Sequence, residues 1–139
     1  MHRTFSKLGA LIAMASVIIG AFGAHYLKNV LSEQQLDSIE TATFYQFIHA
    51  IGLFLVANSY RHYRKKSITW SGYSMITGII LFSGSIYLRI FIDATGNGNG
   101  WMVAIITPVG GVLLILSWLL LFLGIPAAEE YEIKKSEED

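Results

Sequence analysis

A few polar side chains interrupt the long uncharged stretches of this sequence, and their types are the ones that could do chemistry. Gln46 and His49 are three residues apart, so a helix would place them on one face. An imidazole accepts or donates a proton, and an arginine at the end of such a stretch can meet an anionic group. The candidate ligand-binding residues are His25, Gln46, His49, Ser85, Arg89 and Thr107.

Other kinds of site lack support in the sequence. There is no cysteine, which excludes a thiolate nucleophile, a disulfide and a cysteine-based metal centre. The uncharged stretches hold no paired acids, and His25 and His49 have no carboxylate companion at metal-ligand spacing. The glycines within residues 93–100 lack the Gly-Lys-Ser/Thr of a phosphate-binding loop. We therefore predict no enzyme, no metal and no cofactor.

Four long stretches free of charged residues must position these side chains. Of the 139 residues, 53% are hydrophobic and only 14% are charged, whereas soluble domains are about 25% charged. Twenty residues of helix span about 30 Å, the thickness of a hydrocarbon core, and lipid does not tolerate unpaired backbone groups. The sequence predicts an all-α fold, an integral membrane bundle in one domain over residues 1–128. The transmembrane helices are predicted at residues 6–27, 41–60, 67–90 and 101–124.

The distribution of cations predicts the orientation of these helices. Four spans put both termini on one side, which collects eight of the ten lysines and arginines and leaves Lys28 and Arg89 on the other. The positive-inside rule then predicts cytoplasmic N- and C-termini. The charged tail, residues 129–139, is predicted to be disordered and solvated on that side. A competing interpretation takes residues 8–27 as a cleaved signal peptide.

The segment between the first two spans predicts a short amphipathic helix on the outer surface. Ser32 with Gln35 three residues later is typical of a capping box. Leu36 and Ile39 would share one face, with the acids on the other. Such a helix either lies on the surface and leads into the second span or binds a partner.

Small residues recur along single faces of the predicted helices, as in close helix packing within membranes. Such a stripe packs either inside one bundle or against a second copy, and we expect a homo-oligomer. Pro108, inside the fourth span, is expected to free a backbone carbonyl and kink the helix. The predicted packing glycines are Gly9, Gly20, Gly23, Gly78, Gly84, Gly110 and Gly111.

Four sequence words occur in order along the spans: GAFGAH (20–25), YQFIHA (45–50), LFSGSIY (81–87) and ITPVGG (106–111). Together they resemble the domain-of-unknown-function 423 family of small four-span membrane proteins. The resemblance implies a multi-pass protein of the bacterial inner membrane, with no established activity, substrate or cofactor. Most of the candidate polar residues fall within these words, but Arg89 does not.

Three functions remain open at this stage. In the first, the six candidate residues lie in the outer half of the membrane and form a pocket for an amphiphilic or anionic lipid, aided by the helix start near Trp101. The second is a small oligomeric transporter, flippase or channel, and the third is a structural subunit of a larger membrane complex.

A purely structural interpretation has Gln46 and His49 bonding across helices and Arg89 reaching the headgroups. His25 is rotated away from the face of the first span that carries Gly20 and Gly23, so it would face a neighbouring subunit. The balanced net charge argues against nucleic acid as a partner.

Overall fold

The described part of the chain is almost entirely helical. A computed structural model describes residues 1–96, 103 and 105–127. The helices are α1 (His2–His25), α2 (Glu33–Tyr63), α3 (Lys66–Thr95) and α4 (Ile106–Gly124), with a 3-10 turn at Leu27–Asn29. The described residues contain no strand. The predicted all-α fold is confirmed.

All four helices are long and apolar enough to cross a membrane. The shortest, α4, has 19 residues and is therefore about 28 Å long, close to one hydrocarbon core. Large apolar side chains cover the outer surfaces of the helices, including Phe22, Ile80, Ile115 and Phe122, each at least 60% exposed. Water would disfavour so much exposed apolar surface, whereas lipid is its natural solvent.

Each helix packs mainly against its neighbours in the sequence. The large interfaces join α1 to α2, α2 to α3 and α3 to α4. In the described residues, α1 and α4 share no packing interface, so they flank a central α2–α3 pair. The core cluster consists of Phe5, Leu53, Val56, Ala57, Ile68, Met75, Ile79, Leu114 and Leu121.

The helices alternate in direction, which gives the molecule two distinct ends. We call the end with residues 26–32, the end of α3 and the start of α4 the loop end. The terminus end holds the N-terminus and the two-residue turn between α2 and α3, where Arg64 adopts a left-handed φ of 47°. At the loop end α3 continues to Thr95, beyond its predicted limit, and stops at Gly96, whose φ of 67° suits glycine.

The predicted amphipathic helix is the first part of α2 and leads into the second span. The capping box is confirmed: the Gln35 backbone N–H donates to Ser32 Oγ at 3.3 Å, and the Ser32 N–H donates to Gln35 Oε1 at 3.0 Å. Ile39 is buried, while Glu33, Asp37 and Glu40 are exposed, as the pattern predicts. The helix then runs on without a break into the second span.

Four of the predicted packing glycines lie where a larger side chain would collide with or press on a neighbouring helix. A methyl group on Gly9 would lie 2.9 Å from Ala50 O, and one on Gly78 would lie 2.6 Å from Leu114 Cδ2. On Gly110 it would meet the backbone of Phe82, and on Gly23 it would lie 3.3 Å from Ile39 Cγ2. These glycines let the helix backbones approach closely.

The other three predicted glycines make no such contact within the chain. A methyl group would have nothing within 4 Å on Gly20 or Gly84, and on Gly111 its nearest neighbour would be a Phe82 ring atom at 3.7 Å. Three close-packed glycines were not predicted: Gly52 faces Met75, Gly72 faces Phe5 and Gly124 faces Ile68. Side-chain size alone does not say which way a glycine faces.

Pro108 is the third residue of α4 and lies in its first turn. Backbone N–H groups there have no intrahelical acceptor, so proline costs no hydrogen bond. From the sequence, Pro108 is expected to leave the backbone carbonyl of residue 104 without a hydrogen bond. That residue lies outside the described residues. The predicted helix start at Trp101 and the predicted tail at 129–139 also lie outside them.

Candidate functional site

A cleft of about 640 Å³ opens at the loop end between the start of α2, the end of α3 and the start of α4. Its lining combines two kinds of wall. The α2 wall is polar and uncharged, and the α3 wall combines apolar side chains with one arginine and one aspartate. We call it the loop-end cleft. Its lining residues are Ser32, Gln34, Gln35, Ser38, Thr41, Phe82, Ile86, Arg89, Ile90, Asp93, Thr107 and Pro108.

Arg89 lies at the rim of the loop-end cleft, one turn before Asp93 on α3. Its Nε is 3.6 Å from Asp93 Oδ2, and the two side chains are 53% and 37% exposed. An exposed pair four residues apart on a helix contributes only about 0.3–0.5 kcal/mol to stability. The guanidinium therefore keeps most of its hydrogen-bonding capacity for a ligand or for water.

Thr107 and Ser85 join α4 to α3 beside the loop-end cleft. Their hydroxyl oxygens are 2.7 Å apart, and Ser85 Oγ also donates to the Phe82 carbonyl at 2.9 Å. Ser85 is buried, whereas Thr107 is half-buried and lines the cleft. This bond fixes the edge of the cleft formed by α4.

Gln46 is committed to neighbouring helices. Its Nε2 donates to the Ile12 carbonyl of α1 at 3.0 Å, and its Oε1 accepts from the Tyr87 hydroxyl of α3 at 2.9 Å. The side chain is buried at 6% exposure. One amide thus joins three helices, as the structural interpretation expected.

His49 is buried but makes no hydrogen bond across helices in the described residues. Its Nδ1 donates to the Tyr45 carbonyl of its own helix at 2.7 Å, and the two rings stack with centroids 6.0 Å apart. The imidazole also lies 6.0 Å from the Trp118 ring. Trp118 follows Thr107 by eleven residues in α4, or about 16 Å of helix. His49 therefore lies beside a part of α4 well removed from Thr107.

His25 ends α1 as an exposed side chain and does not line the loop-end cleft. Of the six candidate residues, the structure brings Ser85, Arg89 and Thr107 to the cleft or its edge. It places Gln46 between helices, His49 deeper beside Trp118 and His25 apart from them all. The predicted anion site near Trp101 lies outside the described residues.

Sequence reasoning missed the polar wall of the loop-end cleft. Gln34, Ser38 and Thr41 follow one another at steps of four and three residues, so they share one face of α2. That spacing is visible in the sequence, but the acids Glu33, Asp37 and Glu40 are the more conspicuous polar residues of the segment. No group of three potential metal ligands occurs among the described residues.

Three buried serines that were not predicted also join the helices. Each hydroxyl donates to a carbonyl of another helix: Ser16 to Thr43 at 2.7 Å, Ser71 to Ser117 at 2.7 Å and Ser83 to Ala42 at 2.8 Å. Ser117 itself donates within α4 to Leu114 at 2.6 Å. A hydroxyl can always satisfy itself within its own helix, so the sequence holds no signal for such crossings.

Comparison with known proteins identifies the relatives of this chain. Residues 19–111 match the family model described as "Protein of unknown function (DUF423)". A UPF0382 membrane protein of Staphylococcus saprophyticus is 40% identical over 122 residues, covering 88% of this chain and 96% of that protein. The UPF0382 membrane protein YwdK of Bacillus subtilis is 37% identical over 86% of this chain and 93% of its own length.

A UPF0382 membrane protein of Haemophilus influenzae is 35% identical, covering 89% of this chain and 94% of that protein. No solved structure matches the chain. The relatives are bacterial proteins named for the membrane, and the four helices here are long and apolar enough to cross one. The chain is a multi-pass membrane protein and belongs to the DUF423 family.

Proposed function

We propose that the loop-end cleft binds the polar headgroup of a membrane amphiphile. The observation that carries the proposal is the pairing of two unlike walls. Ser38 and Thr41 on α2 offer hydroxyls, while Phe82, Ile86 and Ile90 on α3 offer an apolar surface. A ligand that is polar at one end and apolar at the other matches both walls at once.

The apolar wall has a direction that suits a lipid chain. Phe82, Ile86 and Ile90 are spaced four residues apart, so they form one stripe about 12 Å long on α3. The stripe begins beside Arg89 at the rim and descends toward the middle of the span. A headgroup held at the rim would therefore lay its acyl chain along the stripe.

The cation distribution supports an outward-facing cleft. Arg3, Lys7 and the basic residues around the α2–α3 turn lie at the terminus end, and Lys28 and Arg89 lie at the loop end. By the positive-inside rule, this distribution favours a loop end outside and both termini in the cytoplasm. The ligand would then come from the outer leaflet. Transport, a larger complex and self-association stay predictions from the sequence.

The test measures the lipid that remains with the protein after gentle extraction from its own membrane. Native mass spectrometry of the Arg89→Ala, Thr107→Val double variant should show about a tenfold loss of bound lipid, because two polar contacts of about 0.7 kcal/mol each are removed. The matched control, Arg61→Ala with Thr77→Val, removes the same groups from exposed positions outside the cleft.

Equal lipid retention in the double variant, its control and the unchanged protein would overturn the proposal. Thermal unfolding of both variants in the same detergent separates loss of ligand from loss of fold. Removing Thr107 Oγ1 also breaks its bond to Ser85, so Arg89→Ala alone serves as the variant that leaves the helix contacts intact.

A further inference from the structure

The terminus end carries a concentrated positive charge. The acids among the described residues all belong to the loop end: Glu33, Asp37, Glu40 and Asp93. The described residues of the terminus end hold no acid, and their lysines and arginines are Arg3, Lys7, Arg61, Arg64, Lys65 and Lys66. Like charges gathered in this way repel one another, so an anionic partner beside them is favoured.

Helix packing brings these cations to one surface. Phe5, which lies between Arg3 and Lys7 on α1, is buried, and its ring centroid is 5.7 Å from that of Tyr73 on α3. Tyr73 follows Lys66 by seven residues, or about 10 Å of helix. The start of α1 therefore lies beside the turn between α2 and α3. We call the surface formed by the six cations the basic end.

The last helix ends beside this surface. A methyl group on Gly124, the final residue of α4, would lie 2.9 Å from Ser67 Oγ in the first turn of α3. The sequence that follows carries six acids and two lysines within residues 129–139, a net charge of −4. The first of those acids, Glu129, comes five residues after Gly124. Five extended residues span up to about 17 Å, enough to reach the α2–α3 turn.

We propose that residues 129–139, which we call the acidic segment, bind back onto the basic end of the same chain. Glu129, Glu130 and Glu132 are the nearest acids to the α2–α3 turn along the chain, and Arg61, Arg64 and Lys66 are its exposed cations. The binding fastens the end of α4, which packs mainly on α3, to the end of α2. It involves neither the loop-end cleft nor its ligand.

Anionic lipid headgroups are the competing partner for the basic end, and two arguments favour the acidic segment. A short tether gives the segment an effective concentration in the millimolar range at the cations, without any loss of free translation. An anionic membrane surface also repels a segment of net charge −4. The cations of its own chain are therefore the nearest surface that attracts it.

Two spin labels measure where the segment lies. The sequence has no cysteine, so labels can be attached at Ser136→Cys in the segment and at Thr77→Cys, an exposed position of α3. The full-length protein is placed in nanodiscs of equal parts phosphatidylglycerol and phosphatidylethanolamine. Double electron–electron resonance then gives the distribution of distances between the labels. A free chain of the twelve residues from Gly124 to Ser136 has a root-mean-square length of about 20 Å, and binding should narrow the distribution to about half of that.

Neutralising the first acids of the segment should broaden the distribution about twofold, because the attraction to the α2–α3 turn is lost. The variant combines Glu129→Gln, Glu130→Gln and Glu132→Gln. The matched control changes as many acids at the loop end and should leave the peak as it is: Glu33→Gln, Asp37→Asn and Glu40→Gln. In 1 M salt, where the Debye length is about 3 Å, the unchanged segment should broaden as well.

Three results would overturn the inference. The first is an unchanged segment as broadly distributed as the neutralised one, and the second is a narrow peak that persists after neutralisation. The third is a narrow peak in phosphatidylcholine nanodiscs that is lost when phosphatidylglycerol is present, which would assign the basic end to anionic lipid. SDS titration of both triple variants separates release of the segment from unfolding.

Discussion

At the scale of one residue, Gln46 shows that the cost of burying a polar group identifies an important side chain but not its partner. An amide within a membrane span is costly unless it is bonded, which is why the sequence alone marks it as important. Whether its partner is a ligand or another helix depends on how the helices are rotated against each other. The partners turn out to be the Ile12 carbonyl and the Tyr87 hydroxyl, and no sequence pattern specifies either one.

Replacing Gln46 by leucine should destabilise the protein by about 1 kcal/mol, since interhelical side-chain bonds within a membrane average about 0.6 kcal/mol each. Unfolding by an increasing mole fraction of SDS measures the change. Gln34→Leu is the matched control for stability alone, because Gln34 is exposed and lines the loop-end cleft. An effect on lipid retention without an effect on stability would assign Gln46 to the ligand and not to the helices.

His49 should be much more tolerant of substitution than Gln46. Its Nδ1 bonds to a carbonyl of its own helix, so a leucine there leaves no group of another helix without a partner. We expect His49→Leu to cost less than Gln46→Leu in the same SDS titration. A larger cost would show that the stacking on Tyr45 and the contact with Trp118 stabilise the α2–α4 approach.

At the scale of the element, two adjacent glycines of α4 offer a test of close packing. A methyl group on Gly110 would meet the Phe82 backbone, which cannot move without shifting α3, whereas on Gly111 its nearest contact is an ordinary 3.7 Å. Gly110→Ala should therefore destabilise by about 1–3 kcal/mol. Gly111→Ala should be neutral or slightly stabilising, because alanine favours helix.

SDS titration of the two variants side by side measures both effects. Their helix propensities change equally, so the difference between them reports the α3–α4 contact alone. Equal stabilities would mean that α4 does not approach α3 through Gly110.

Four membrane helices could be predicted from the sequence because each uncharged stretch is as long as a hydrocarbon core. The residues at which the helices begin and end were harder to predict. The capping box marks the start of α2, and the amphipathic segment continues into the second span as predicted, because residues 33–51 contain no glycine or proline to break the helix. The loop-end cleft could not be predicted from the sequence, because it depends on how the outer turns of three helices lie side by side.

At the scale of the whole molecule, the cations separate toward one end. The absence of cysteine from the sequence makes their meaning directly testable. A single cysteine at Lys28→Cys, at the exposed loop end, should react with an impermeant maleimide added to intact cells. His62→Cys, exposed at the terminus end, should react only after the membrane is opened. Labelling with the opposite preference would show that the topology is inverted and that the loop-end cleft faces the cytoplasm.

The order in which the helices pack matches the order in which a ribosome makes them. Interfaces join α1 to α2, α2 to α3 and α3 to α4, while α1 and α4 share none in the described residues. Each later helix therefore finds its main partner already in the membrane when it emerges, and a few contacts, such as Phe5 of α1 with Gly72 of α3, form only when a third helix arrives. Contacts between sequence neighbours also require little loop closure. The chain can thus assemble stepwise during its own synthesis, one interface for each helix released.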